Sequence, residues 1–453
     1  MDANETGAMT NPFLQDVEML LQKIQQFHPQ PYHEIPAEQW EETVAAVRDR
    51  LTADEPEYRK IIEFFRIVAL LHDSHSRVGL QFEGDHSQMS MKLPEIFNLA
   101  YPLETYVFAD GIFVIKAADT QLLGRKLMQI NGESIETIIK RLQPLMPVEN
   151  DMGVMIFMTY YLRPIFLYAI GSLHDLLEPI TISWSDGRTS EVEPVLDPVL
   201  MSIFEYQNHQ KDPLADTLLP KYLRYDPPLS IRQEGEELIV DIRSIRDAPD
   251  KTLRQLAEEL DGILSQPDRQ PGGPAAIQRL LIDLRGNGGG NNMLTQPLVQ
   301  TIIKNDWINH PGRLFVLIDR WTFSAAINTA NFLERDTWAL FAGEPFAGRV
   351  NHFGDTTSFI LPYSGVEVRI STLYWQDSDP TDTRVSIIPD LWVRQTFEQY
   401  RSRQDAVREG IRAYELDAEW LEYYQKYSPR YKQYRQSQQQ QVRGYWHRNR
   451  MDP

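Results

Sequence analysis

Apolar positions recur at helical spacing through the first eighty residues. Residues 13–27 carry Phe13, Val17, Leu20, Leu21 and Ile24 on one stripe. Residues 37–51 repeat the pattern behind Pro36, and residues 58–71 show it most fully, from Ile61 to Leu71. That stretch runs into LHDSHSRVGLQF, whose last part alternates like a strand. The period then shortens. ETYVFADGIFVIKAA reads as a hairpin turning at Asp110-Gly111. LGRKLMQINGESIETIIKRLQPL reads as a strand, an Asn131-Gly132 turn and a helix, and PITISWSDGRTSEVEPV as a hairpin turning at Asp186-Gly187. Residues 152–177 are apolar and aromatic, and read as helical. Residues 201–228 show no period and read as a linker or wrapping loop.

From residue 229 strands and helices alternate. ELIVDIRSI, RLLIDLRG, RLFVLID and WALFAGE read as strands. KTLRQLAEELDGILSQ, MLTQPLVQTIIKN and SAAINTANFLERD read as the helices between them. Near-continuous apolar strands alternating with helices imply a parallel-type sheet covered by helices. TTSFILPYSGVEVRIST follows as a hairpin, and the last fifty residues, with RQSQQQQVRGYW, read as a helix and a polar tail. No internal repeat is visible.

Length and charge narrow the classes. A chain of 453 residues is too long for one core. The expected division is a helical region at 1–80, a small β-rich domain with a helical insert at 81–200, the linker at 201–228, an α/β core at 229–395 and a helical polar tail at 396–453. Apolar residues are 42% and charged residues 24%, as in soluble globular proteins. A net charge of −19 argues against nucleic acid or an anionic membrane as the main partner. The absence of cysteine excludes disulfides, thiolate chemistry and cysteine-bound metals. MDANETGAMTNPF has neither a basic nor an apolar signal region. The expected location is therefore cytoplasmic, or extracellular if a leader has been removed. No stretch reaches the ~18 apolar residues of a membrane span.

Chemistry concentrates where RLLIDLRGNGGGNN leaves its strand. Residues 286–292 hold four glycines and three asparagines. A phosphate cradle of the P-loop kind needs a lysine that is absent, and a dinucleotide fingerprint needs glycine where Asn291 stands. A structural turn and an anion hole of peptide N–H groups remain. The anion hole needs a nucleophile, and LIDRWTFSAAINTA supplies Ser324 just before a helix. The plain reading of Ser324 is a helix N-cap. The functional one is a nucleophile flanked by small residues, with the Ala325 N–H and the helix dipole facing an oxyanion.

LLIDLRGNGGG, VLIDRWTFSAA, GEPFAGRVNHFGD and IIPDLWV occur in that order. Together they resemble the serine peptidases of the C-terminal-processing (tail-specific) and tricorn-core type, over residues 237–393. LLHDSHSRV is similar, more weakly, to a histidine segment of members with helical N-termini. The resemblance implies an α+β multidomain fold: a helical N-terminal region, a small β-rich middle domain, an α/β catalytic core with a mixed sheet of the crotonase/ClpP-like kind, and a helical C-terminal tail. The middle domain is either a degenerate PDZ-like unit or an unrelated small fold.

The resemblance makes Ser324 the nucleophile of an acyl-enzyme peptidase. Gly288, Gly289 and Ala325 become its oxyanion hole, and Asp283 and Arg285 brace the loop. The tail-specific branch uses a lysine where this chain has Arg349, and arginine cannot accept the proton. The tricorn-like branch uses a histidine preceded by serine or glycine, which selects Ser74 and His75. Asp382, with Asp379 in reserve, sits near that branch's acidic position. His352 is the rival base or a cleft residue, and Arg349 a binding group for a substrate carboxylate or carbonyl. The plain reading of His72, Asp73 and His75 is a helix C-terminal cluster, and a metal pair is the third. No metal or cofactor is expected, and the partner is a peptide or protein substrate. The other function classes are a catalytically weak relative that binds peptides or a hydrophobic ligand, and an esterase.

Overall fold

The computed structural model describes residues 11–52, 54–79, 97, 99–196, 227–416, 418 and 421–422. The expected linker, apart from its last two residues, and the glutamine-rich end lie outside the described residues. Three helices begin the chain: α1 (Pro12–Phe27), α2 (Ala37–Thr52) and α3 (Glu57–Ala69). Asn11 caps α1 by accepting the Phe13 N–H, and Pro12 follows at the first helical position. Their buried stripes merge into one core with the middle region and with Val368 and Ile370.

The middle region opens with β1 (Arg77–Val78), β2 (Leu99–Ala100), β3 (Leu103–Phe108) and β4 (Gly111–Ala117). The β3–β4 hairpin closes at Ala109-Asp110. Then come β5 (Leu127–Ile130), β6 (Glu133–Ser134), α4 (Ile135–Leu142), α5 (Asp151–Tyr161), α6 (Pro164–Ala169), β7 (Ile180–Trp184), β8 (Thr189–Val192) and β9 (Val195–Leu196). Strands β6, β5, β7 and β8 form a sheet in that order. Asn131 and Gly132 turn between β5 and β6 with φ of 51° and 78°, the pair of left-handed residues that a tight hairpin requires.

The core holds β10 (Leu229–Glu234), β11 (Glu237–Ile242), α7 (Leu253–Leu264), β12 (Arg279–Asp283), α8 (Gln296–Ile303), β13 (Leu314–Ile318), α9 (Ala325–Asp336), β14 (Leu340–Gly343), β15 (His352–Ile360), β16 (Glu367–Trp375) and β17 (Leu391–Trp392). Strands β10, β11, β12, β13, β14 and β17 lie side by side. The β10–β11 pair is antiparallel and the remaining pairs are parallel, so the sheet is mixed. Leu280, Ile282, Val316 and Phe341 pack under the helices on one face.

The other face, with Ile239, Leu281, Phe315 and Leu317, is covered by Val407 and Ile411. These belong to α11 (Ala406–Ala413), which follows the short α10 (Phe397–Arg401). The segment expected to be a polar tail is in this part a cover for the sheet. Its polar side also binds: Arg408 and Arg412 both donate to the buried Glu237. A second sheet, in the order β1, β16, β15, ties the end of the N-terminal helices to the core. Arg77 and Val78 pair with Arg369 and Val368.

Candidate active site

Strand β13 ends at Ile318, and α9 starts at Ala325. The turn between them is held from inside by Asp319. Its carboxylate accepts the N–H groups of Trp321 and Gly286, both at 3.0 Å. Burial pushes the Asp319 pKa up to about 6. Ser324 follows with φ 53° and ψ −125°, a conformation that costs a non-glycine residue energy and persists only where the surroundings enforce it. It occupies the N-cap position of α9, yet its side chain makes no capping bond. The N-cap reading therefore fails.

The glycine loop runs directly against this turn. Phe323 donates its N–H to the Asn287 carbonyl at 2.9 Å. Gly289 has φ 103°, and a Cβ on it would stand 2.6 Å from Ser324 Cβ and 2.9 Å from the Ala325 nitrogen. Only glycine lets the two segments approach so closely. The Gly289 N–H is not available to an oxyanion, because it donates to Asn287 Oδ1 at 2.9 Å. Gly289 thus provides clearance where a donor was expected. Among the described residues no hydrogen bond engages the N–H of Gly288 or of Ala325. Asn287 was not singled out by sequence, although its amide also fastens the loop to the Ile242 carbonyl at 2.8 Å. Asp283 and Arg285 brace the loop: Arg285 clamps Asp283 and reaches Asp405 at 2.9 Å.

The β1–β16 pairing carries His75 to this place. The ring stacks on Phe323, with centroids 4.2 Å apart, and lies parallel to His352 at 5.5 Å. Its Nδ1 is 3.9 Å from Asp73 Oδ1. Neither ring nitrogen has a hydrogen-bond partner, so no such bond joins His75 to Ser324 Oγ. Burial, with the neighbouring His352, pulls the His75 pKa down to about 3. The imidazole is therefore neutral at pH 7. Burial also lowers the His352 pKa, to about 4. Asp73 is fully buried, which opposes its ionisation. The nearby His28 and His75 nevertheless hold its carboxyl well below the usual range.

Ser74 donates its hydroxyl to Glu149 Oε1 at 2.7 Å and its N–H to the same oxygen at 3.2 Å. Glu149 Oε2 accepts the Arg349 N–H at 2.7 Å. Burial, and then the charge of Asp73, push the Glu149 pKa up to about 7. Asp382 does not reach this group. Its carboxylate accepts from Arg384 and, at 2.6 Å, from Ser378. Asp379 accepts from Thr381. The acids beside His75 and Ser74 are Asp73 and Glu149. Arg349 also differs from expectation: its guanidinium pairs with Glu34. The suggested metal pair is not what converges, since His72 Nδ1 faces the Val148 carbonyl at 3.2 Å. Ligand atoms of Asp73, His75 and Glu149 do lie within 4.8 Å of one another. Both carboxylates there already accept hydrogen bonds from Ser76 and Ser74.

An apolar pocket of about 130 Å³ opens beside these residues, bounded by Ser74, Phe323 and Ala347 on the near side. No helix among the described residues is long and apolar enough to cross a membrane.

No protein-family model matches the chain, and no curated protein sequence matches it. Solved structures do. Mature CPAF matches at 14% identity and a TM-score of 0.54, over 88% of this chain and 96% of that one. A CPAF mutant matches at 13% identity and a TM-score of 0.57, over 90% and 99%. The photosystem II D1 C-terminal processing protease matches at 13% identity and a TM-score of 0.38, over 89% and 97%. The chain shares the fold of CPAF over nearly the full length of both proteins.

Proposed function

We propose that the chain is a serine-type peptidase that acts through an acyl-enzyme on Ser324, with His75 as general base. The observation that carries this reading is the strained, uncapped Ser324, held against a glycine loop and close to a neutral imidazole whose ring nitrogens have no hydrogen-bond partner. The fold shared with CPAF supports it. Residues 229–395 form the peptidase core, and the two preceding regions, 1–80 and 81–200, contribute His75 and Glu149.

When a peptide binds, Ser324 Oγ attacks the scissile carbonyl and His75 takes its proton. The Ser–His hydrogen bond forms in that complex, since such bonds are often loose in the free enzyme. The oxyanion receives the N–H groups of Gly288 and Ala325, with the N-terminus of α9 behind them. His75 then protonates the leaving amine, and water attacks the acyl-enzyme by the reverse path. Asp73 stabilises the imidazolium as it forms. Glu149 positions the Ser74 backbone, and through it the ring.

The missing Ser324–His75 hydrogen bond favours a second reading, a catalytically weak protein that binds peptides. A fluorophosphonate probe separates the two. The wild type should label covalently and hydrolyse a quenched peptide. Ser324→Ala should do neither, and His75→Ala should react about 10²–10⁴-fold more slowly. A folded wild type that stays unlabelled, or an alanine variant that labels equally, rejects the peptidase reading.

A further inference from the structure

The apolar pocket takes no part in the proton transfers. Its volume of about 130 Å³ is below the roughly 300–1,000 Å³ of sites for drug-sized ligands, so it has room for one side chain. Its near wall is made by the immediate chain neighbours of Ser324 and His75. Phe323 lines it, stacks on His75 and precedes Ser324. Ser74 lines it as well, with its hydroxyl 3.4 Å from the Ala347 carbonyl. Its far wall is aliphatic and comes from the middle region, with Ile130, Ile156 and Leu162. The charged side chains on the lining have partners of their own: Arg320 pairs with Glu344 at 2.7 Å, Arg163 lies over the Tyr160 ring, and Glu104 stands 3.5 Å from Lys116.

We infer that this pocket receives the side chain of the substrate residue next to the scissile bond. The enzyme therefore cleaves peptides that carry a bulky apolar residue there and rejects lysine and arginine. This rests on the serine-peptidase reading above. Apolar walls reward each methylene that leaves water. A cationic side chain would lose its hydration against these apolar walls.

The test is a set of quenched peptides in which the residue on either side of the cleaved bond is Phe, Leu, Ala or Lys. The kcat/KM values are measured for wild type, Ile156→Trp and Leu162→Asp, with fluorophosphonate labelling in parallel. Wild type should prefer Phe and Leu over Ala by at least about tenfold, and Lys should fall below Ala. Ile156→Trp fills the pocket, so it should cut the Phe-to-Ala ratio about tenfold or more while still labelling. Leu162→Asp should raise the Lys-to-Ala ratio, and it decides the matter if the tryptophan variant does not fold. Variants that label normally and keep wild-type ratios overturn the inference. A wild type that does not label overturns the peptidase reading instead.

Discussion

Gly289 and Ser324 leave each other no spare room. A Cβ at Gly289 would lie 2.6 Å from Ser324 Cβ and would sit at φ 103°, where L side chains are strained. Gly289→Val should therefore displace Ser324 and the Ala325 N–H, and a displacement of about 1 Å is enough to lose roughly 10²-fold in turnover. Peptide hydrolysis together with a thermal melt checks this. The variant should stay folded, and wild-type turnover would mean that the loop is only a turn. The acidic group shows how far single residues can be read. Glu149 stands in PVENDMGV just before α5, where an acid near a helix start needs no further explanation. Its partner Ser74 is 75 positions away, so no local pattern points to it. Asp382 occupied the expected place in the motif order, but Arg384 and Ser378 capture it.

At the level of elements, strands β12 and β13 were plain in sequence because a strand buried on both faces reads as a near-continuous apolar run, here Leu280–Ile282 and Leu314–Ile318. The helices α7 and α9 followed from their spacing. The role of α11 was hidden, since a short helix with three charged positions and a glycine resembles the tail that follows it. Two of its buried residues, Val407 and Ile411, close the second face of the main sheet. Ile411→Ala should destabilise the protein by about 2–5 kcal/mol, as read from urea unfolding. A loss below about 1 kcal/mol would show that α11 does not seal the sheet.

For the whole molecule, buried imidazoles make stability depend on pH. His75 and His352 have pKa values pulled down to about 3 and about 4, from an ordinary 6.5. As pH falls below 6.5 the unfolded chain binds protons that the folded chain refuses, so stability falls. Glu149, raised to about 7 from 4.5, works in the opposite sense. Its folded form keeps a proton that the unfolded chain loses, which adds stability as pH falls through that window. Asp319, raised to about 6 from 3.8, works in the same sense as Glu149, so two carboxyls oppose the two imidazoles. His352→Gln removes one imidazole's loss, so between pH 7.5 and pH 5 its melting temperature should fall less, or rise more, than that of the wild type. An identical change in wild type and variant would show that this ring does not contribute to the dependence.

The sequence by itself determined most of the elements, the helix-covered sheet of the core and Ser324 with its glycine loop as the candidate site. Each is a local matter: a hydrophobic period, a turn residue, or a motif within a dozen positions. The tertiary structure alone decided which acids stand beside His75, which N–H groups of the loop and turn carry no hydrogen bond, and what covers the second face of the sheet. Those outcomes depend on competition. Asn287 claims the Gly289 donor, Arg384 claims Asp382, and Glu34 claims Arg349. A hydrogen-bonding group goes to whichever partner folding brings within about 3 Å, and for Ser74 and His75 that meeting is made by a two-residue strand pairing across nearly three hundred positions.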